Sequence, residues 1–239
     1  MGRKKVVTRL AMRSPNTIFK TTKEIYQREG LAPLLKRAFA FAAGHLVQYR
    51  RFYLFEFPTK NIKHLTESDF MPKIDDFTLK IVSIKQEADA LEAEGLEFRS
   101  YVSNADDRLD KGAIAFCIFV GQELANISWI AMTLEAQRSL REAPCKVHFS
   151  RNEAYRGGIW TNPKFRRMGF SLYSLWKKLE FLQERGIPTS RAIIAKGNVT
   201  PQLGHTKFAP IRYGEGRYLR ILWWKSWKEK QLPPQEVVQ

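Results

Sequence analysis

Cysteine and histidine are scarce in this chain of 239 residues, which has two cysteines and four histidines. Two cysteines, Cys117 and Cys145, cannot supply the several disulfides that hold together small secreted domains. The histidines are scattered between His45 and His205, without the short spacings of a zinc site. We therefore expect no disulfide framework and no bound metal, and we expect a reducing, cytoplasmic environment.

Long apolar runs are also lacking near the start of the chain. The longest uncharged, apolar-rich stretch there, residues 38–49, is well short of the ~20 residues that a membrane-spanning helix needs. The basic start lacks the apolar core and small-residue cleavage site of a secretory signal. We expect a chain that does not cross a membrane.

Acidic residues outnumber basic ones in a single region, although the formal net charge is +16. Residues 1–58 hold 12 Lys and Arg against 3 Asp and Glu, whereas residues 59–138 hold 9 against 14. Residues 139–202 hold 12 against 4, and residues 203–239 hold 7 against 3. Because a field acts where charges cluster, the basic start and the basic second half need separate explanations.

The apolar and aromatic content, 44% and 13%, is enough for a substantial core. Helices are predicted at 14–29 and 33–47, and a strand at 51–57. We divide the chain into a basic, partly helical extension (1–58), a linker (59–72), a core domain (73–228) and a flexible tail (229–239).

Within the core domain, hydrophobic periodicity predicts alternating strands and helices. The predicted order is a strand at 77–84, a helix at 87–98, an acidic loop at 103–111, a hairpin at 113–120 and 125–133, a strand at 153–161, a helix at 171–185, a strand at 191–195, a short helix after Asn198 and a strand at 218–227. This order is typical of a mixed α/β sheet layered with helices.

The most informative segment is a basic turn between the strand at 153–161 and the helix at 171–185. It reads Asn-Pro-Lys-Phe-Arg-Arg-Met-Gly-Phe-Ser over residues 162–171. Such a turn points backbone N–H groups and the positive end of a helix dipole at one spot, which suits a phosphate group. The alternative is an ordinary strand-to-helix loop with basic residues facing solvent.

This segment resembles the signature of the GNAT superfamily of acyl-CoA-dependent N-acyltransferases. The matching positions are Ile159, Thr161, Pro163, Phe165, Arg166 and Gly169. In the family, this signature is followed by a helix, a Gly, a strand and an Asn. The corresponding features of this chain are the helix at 171–185, Gly186, the strand at 191–195 and Asn198. The chain departs from the pattern at Arg167 and Ser171, where Gly is usual, and at 209–210, where Ala-Pro replaces Gly-Phe.

The resemblance implies a GNAT-like fold, α/β or α+β, with a mixed, mostly antiparallel central sheet flanked by helices. It also implies acetyl-CoA, or another acyl-CoA, as co-substrate. The residues implied to bind it are Ile159, Trp160, Thr161, Arg166, Arg167, Met168, Gly169, Phe170, Ser171 and Asn198. For Asn198 a helix-capping role is an alternative that is compatible with this one.

The implied reaction is direct attack of an amine on the thioester. Glu153 and Tyr155 are the candidate bases, although a lone carboxylate usually faces solvent. His205 stands where many members carry a Tyr that protonates the leaving thiolate, and a packing role is the alternative for it. The adjacent glycines 157–158 indicate either the strand bend that opens the family's cofactor cleft or a simple turn.

The acceptor is not identified by the sequence, and a small-molecule amine is our prediction. The rival interpretation is a catalytically silent GNAT-like domain that binds acyl-CoA or a partner. For residues 1–58, packing on the domain ranks first and peripheral contact with an anionic membrane second. Nucleic acid ranks last, because no nucleic-acid-binding motif accompanies the charge.

Overall fold

The computed structural model describes residues 47–140, 143–198 and 205–236. The chain divides into two compact units, one made of Arg50–Tyr218 with Ser226–Gln239 and the other of Met1–Tyr49 with Leu219–Lys225. The helices predicted at 14–29 and 33–47 lie outside the described residues, apart from Val47, which begins a strand.

Eight strands form one sheet in the order β2-β3-β4-β5-β6-β1-β7-β8. Their bounds are β1 Val47–Pro58, β2 Thr78–Val82, β3 Ala113–Val120, β4 Glu123–Ala131, β5 Glu153–Thr161, β6 Thr189–Ala195, β7 Ile211–Ile221 and β8 Trp224–Glu236. β2, β3, β4 and β5 pair antiparallel in succession, β6 pairs antiparallel with β1, and β5 pairs parallel with β6. The predicted fold class, a mixed and mostly antiparallel sheet with helices, is confirmed.

Helices cover both faces of this sheet. They are α1 Lys85–Ala93, α2 Ala105–Asp110, α3 Leu134–Ser139 and α4 Phe170–Glu184. Side chains alternate along a strand, so Cys117 and Phe119 of β3 pack in the cluster that contains α1, α2 and α3 residues. Phe116 and Ile118 point the other way, into the clusters that contain the apolar face of α4. No helix among the described residues has the length and apolar content to cross a bilayer.

Two predicted elements in the acidic region were wrong. The helix predicted at 87–98 ends at Ala93, because Gly95 adopts a φ of 79° and the N–H of Leu96 turns back to the carbonyl of Leu91 at 2.8 Å. The acidic loop predicted at 103–111 contains α2. Acidic residues in its first turn favour the positive end of the helix dipole, and its apolar side is buried, so six residues suffice.

The late strand predicted at 218–227 was also wrong. The chain reverses at residues 222–223 and forms two strands, β7 and β8. β8 runs to Glu236, so residues 229–236, expected in a flexible tail, belong to a strand. The sequence did not predict this turn, because Leu222, with a φ of 57°, occupies a position where Gly or Asn is usual.

Candidate active site

The parallel strands β5 and β6 separate partway along their length. Within the described residues their ladder runs only from Glu153↔Thr189 to Tyr155↔Arg191, although both strands continue. Beyond it β5 stays with β4, where Thr161 faces Asn126, and β6 stays with β1. The carboxyl-terminal halves of the two strands are therefore not paired with each other, and we interpret the gap between them as a cleft.

A β-bulge bends β5 at the glycines. The register passes from Trp129↔Gly157 to Ile127↔Trp160, so β5 has one residue more than β4 over this step. Gly158 has a φ of 59°, and a Cβ placed there would lie 2.8 Å from the Trp129 ring and 3.0 Å from the Arg108 guanidinium. Glycine is required at this position, and the alternative of a turn between two short strands is wrong.

Two asparagines fix the far end of β5 against β4. The side chain of Asn126, which is fully buried, donates to the carbonyl of Trp160 at 3.1 Å and to the hydroxyl of Thr161 at 2.8 Å. Asn162 donates from its side chain to Glu123 at 3.0 Å and to the carbonyl of Leu124 at 3.2 Å. The turn that follows therefore starts from a rigid point.

The turn itself presents unsatisfied donors and positive charge. Among the described residues, the backbone N–H groups of Gly169, Phe170 and Ser171 have no hydrogen-bond acceptor. They lie at the start of α4, whose N-cap Gly169 supplies no side-chain acceptor. Arg166 and Arg167 are exposed, and neither forms an ion pair with any described residue. An anion is the group that satisfies such a site.

A short segment before β2 packs against this turn. The N–H of Lys73 donates to the carbonyl of Met168 at 2.9 Å, and the Pro72 Cα lies 3.2 Å from where a Cβ on Gly169 would stand. Lys73 is exposed and adds a third cation beside Arg166 and Arg167. Sequence analysis missed it, because its segment adjoins the turn only in the folded chain.

The same segment is attached to α4 by a polar group. The Glu67 carboxylate accepts a hydrogen bond from the Tyr173 hydroxyl at 2.7 Å and forms an ion pair with Lys177 at 3.0 Å. The Tyr173 bond is the main cause, followed by Lys177, that the pKa of Glu67 is lowered. Phe70 stacks on Trp176 with ring centroids 6.0 Å apart. These contacts hold Lys73 beside the turn.

The end of the strand pair where β5 and β6 are hydrogen-bonded to each other is the closed end of the cleft, and the end where they are not is the open end. At the closed end, the charged side chains form ion pairs with one another. Both oxygens of Glu153 accept from the Arg191 guanidinium, at 2.6 and 3.1 Å, and one also accepts from the His148 N–H at 2.8 Å. Arg191 forms a second ion pair with Glu56 at 2.7 Å. Glu153 is therefore an engaged carboxylate in this structure, and it is not poised as a free base.

The other predicted site residues are divided between the cleft and its surroundings. Tyr155 is fully buried in the core cluster with Trp129. Asn198 is exposed where β6 ends, and its N–H donates to the carbonyl of Ala195 at 2.9 Å. His205 begins the 3-10 turn His205–Phe208, and its side chain lies outside the described part of the chain.

Three further predicted residues contribute mainly backbone or packing. The Ile159 side chain is 48% exposed and lies at the bulge, where residue 159 has no partner residue on β4. Trp160 packs on Tyr101 with ring centroids 5.0 Å apart. The Phe170 side chain belongs to the core, so only its N–H is available to a ligand.

Arg108 is a residue of the site that sequence analysis did not single out. Its side chain is buried, with its guanidinium 5.2 Å from the centre of the Trp129 ring, and it supports the bulge at Gly158. The only available signal was one basic residue inside an acidic stretch. Among the described residues, no group of His, Cys, Asp and Glu could hold a metal ion.

Comparisons with known proteins give fold likenesses of low identity. No family model matches the chain, and no curated protein sequence matches it. A tandem GNAT protein from the clavulanic acid biosynthesis pathway is 14% identical, with a TM-score of 0.46 over 83% of this chain and 59% of that one. A GCN5-related N-acetyltransferase-like protein from Streptococcus suis is 14% identical, with a TM-score of 0.43 over 86% and 69%.

A Drosophila protein is 12% identical, with a TM-score of 0.44 over 80% of this chain. The chain spans 58% of that protein's length, which is less than two thirds. Likenesses of this degree carry no conclusion about function.

Proposed function

We propose that this chain is an N-acyltransferase that transfers an acyl group, in the first instance acetyl, from acyl-CoA to a small-molecule amine. The observation that carries the proposal is the cleft between β5 and β6, which opens beside a turn with unsatisfied N–H groups and unpaired cations. A long, narrow co-substrate with a pyrophosphate fits this combination. Its chain would lie between the strands, and its phosphates would lie on the turn.

The phosphates are assigned to the N–H groups of Gly169, Phe170 and Ser171, with Arg166, Arg167 and Lys73 as the surrounding cations. Arginine suits this role because its planar guanidinium can donate two parallel hydrogen bonds to phosphate. Met168 supports the site through its carbonyl, which fixes Lys73. Asn198, at the end of β6, completes the predicted set from the opposite wall.

The reacting thioester is assigned to the bulge. A bulge leaves one residue of the longer strand out of the ladder, and we assign the N–H of Ile159 to the thioester oxygen. The amine nitrogen attacks the carbonyl carbon, and negative charge develops on that oxygen, which the N–H stabilises. The C–S bond then breaks, the ammonium loses its proton, and the departing thiolate takes up a proton, for which His205 is our candidate donor.

Two observations bear on the candidate bases, Glu153 and Tyr155. Glu153 could take the ammonium proton through a water molecule only if Arg191 released it, and Arg191 would retain Glu56 as a partner. Tyr155 is in the core, so a role in shaping the base of the cleft suits it better than proton transfer. These two observations favour the second candidate function, a silent domain that binds acyl-CoA without transferring the acyl group.

Thiol release from acetyl-CoA and longer acyl-CoAs, measured against a panel of amines, tests the proposal. We expect turnover with at least one amine, and a loss of about 100-fold or more in Glu153→Gln and His205→Ala if these residues transfer protons. Glu184→Gln, an exposed carboxylate on α4, is the matched control. CoA binding without thiol release for any amine would support the silent domain.

A further inference from the structure

The tip of the β7–β8 hairpin exposes four consecutive large apolar side chains. The exposed fractions are 41% for Ile221, 45% for Leu222, 85% for Trp223 and 53% for Trp224. Single exposed apolar residues are ordinary on protein surfaces, but an uninterrupted group indicates contact with another apolar phase.

The backbone conformation of the tip also indicates a role other than stability. Strand β7 ends at Ile221 and β8 begins at Trp224, so Leu222 and Trp223 form a two-residue turn. Leu222 has a φ of 57°, a left-handed conformation that a branched side chain disfavours and that Gly or Asn adopts easily. Folding would be served better by a polar, glycine-containing turn, so neither the exposed side chains nor the strained leucine is explained by stability.

Positive charge flanks this apolar tip. Residues 216–228 contain Arg217, Arg220, Lys225 and Lys228 and no acidic residue. Tryptophan favours the boundary between lipid headgroups and acyl chains, and Lys and Arg reach from such a position to lipid phosphates. Basic residues next to a bilayer also gain from the negative potential of anionic lipids.

The small size of the tip favours a bilayer over a protein partner. Four side chains on a two-residue turn offer far less than the ~800 Å² that each partner contributes to a standard protein interface. A fluid bilayer needs no matching surface, so a small convex tip is sufficient for it.

We propose that this tip is a membrane-surface contact. Leu222, Trp223 and Trp224 enter the interface of an anionic bilayer, and Arg220 and Lys225 contact its phosphate groups. The tip belongs to the compact unit that also contains Met1–Tyr49, and the proposal for it does not depend on the acyltransferase proposal.

Co-sedimentation of the full chain with vesicles of phosphatidylcholine, with and without phosphatidylglycerol, tests the proposal. The decisive variant is the double substitution Leu222→Gly with Trp223→Asn, which removes two apolar side chains and places glycine at the position with a positive φ. Because glycine relieves strain at this position, we expect an equal or higher Tm. The control is Leu134→Asn, which removes a leucine that is 50% exposed in α3.

We expect wild type and Leu134→Asn to bind phosphatidylglycerol vesicles and the double variant to bind about tenfold more weakly. Lys225→Gln should weaken binding about fivefold, whereas Lys63→Gln, an exposed lysine of the other unit, should not. Wild type that stays in the supernatant, or a double variant that binds like wild type, would overturn the proposal. So would a wild-type oligomer that the double variant converts to a monomer, because the tip would then contact a second copy.

Discussion

The two ends of the β5–β6 pair differ in how their charges are partnered. At the closed end, Glu153 and Arg191 form a two-bond ion pair, Glu56 adds a second carboxylate, and both partners of the main pair have side chains only 11% exposed. At the open end, Arg166, Arg167 and Lys73 are exposed and form no ion pair with any described residue.

This difference separates the part of the pair that maintains the fold from the part that is available to a ligand. Buried charges must be paired, because an unpaired charge in the core is costly. Exposed cations that lie near free N–H groups and have no carboxylate partner are stabilised when an anion binds among them. Substitutions at the closed end and the bulge should therefore change stability, and substitutions at the open end should change affinity for CoA.

The largest expected effect on stability is that of Gly158→Ala at the bulge. The new Cβ would meet the Trp129 ring at 2.8 Å in a backbone with a φ of 59°. Strain and overpacking together should lower the free energy of unfolding by about 3 kcal/mol. Gly112→Ala is the matched control: its φ is 78° and nothing lies within 4 Å, so about 1 kcal/mol is expected. If urea unfolding showed that both variants lose the same free energy of unfolding, the contact with Trp129 would be unimportant.

At the closed end, Glu153→Gln should lower the free energy of unfolding by about 2 kcal/mol. The substitution leaves Arg191 largely buried with Glu56 alone, and breaking a buried pair is destabilising. Glu184→Gln, on the exposed end of α4, should change it by less than ~0.5 kcal/mol. If thermal unfolding gave the two variants the same Tm, the closed end would have no structural role.

A smaller effect is expected from Lys73→Gln at the open end. Removing one exposed cation should raise the Kd for CoA about threefold, with the Tm unchanged. Lys63→Gln, an equally exposed lysine, should leave the Kd as it is. A Kd that Lys73→Gln does not alter, at low and moderate ionic strength, would remove Lys73 from the phosphate site.

The smallest expected effect concerns Glu67. Because the folded state lowers its pKa from the ordinary 4.5, its contribution to stability is present above about pH 4.5 and is lost as the pH falls further. Glu67→Gln should therefore flatten the decline of Tm between about pH 5 and pH 3. Parallel Tm profiles for this variant and wild type would contradict the role of Glu67 in fixing the segment beside the turn.

Sequence reasoning was most successful where one segment determines its own structure. The strand Glu153–Thr161, the basic turn and the helix after it have local signals, namely alternation, glycine and a helical apolar stripe. Lys73 and Arg108 could not be predicted, because they reach the site through packing between distant segments. The β7–β8 turn was missed for a different reason, since Leu222 adopts a conformation that its residue type disfavours.

Calorimetric titration of CoA into the folded chain tests the central claim most directly. The wild type should bind CoA, and Arg166→Ala with Arg167→Ala should weaken binding about tenfold or more at an unchanged Tm. Arg151→Ala, an exposed arginine before β5, should bind like wild type. Absence of binding by wild type, or equal affinity in the double variant, would contradict the assignment of the turn to the CoA phosphates.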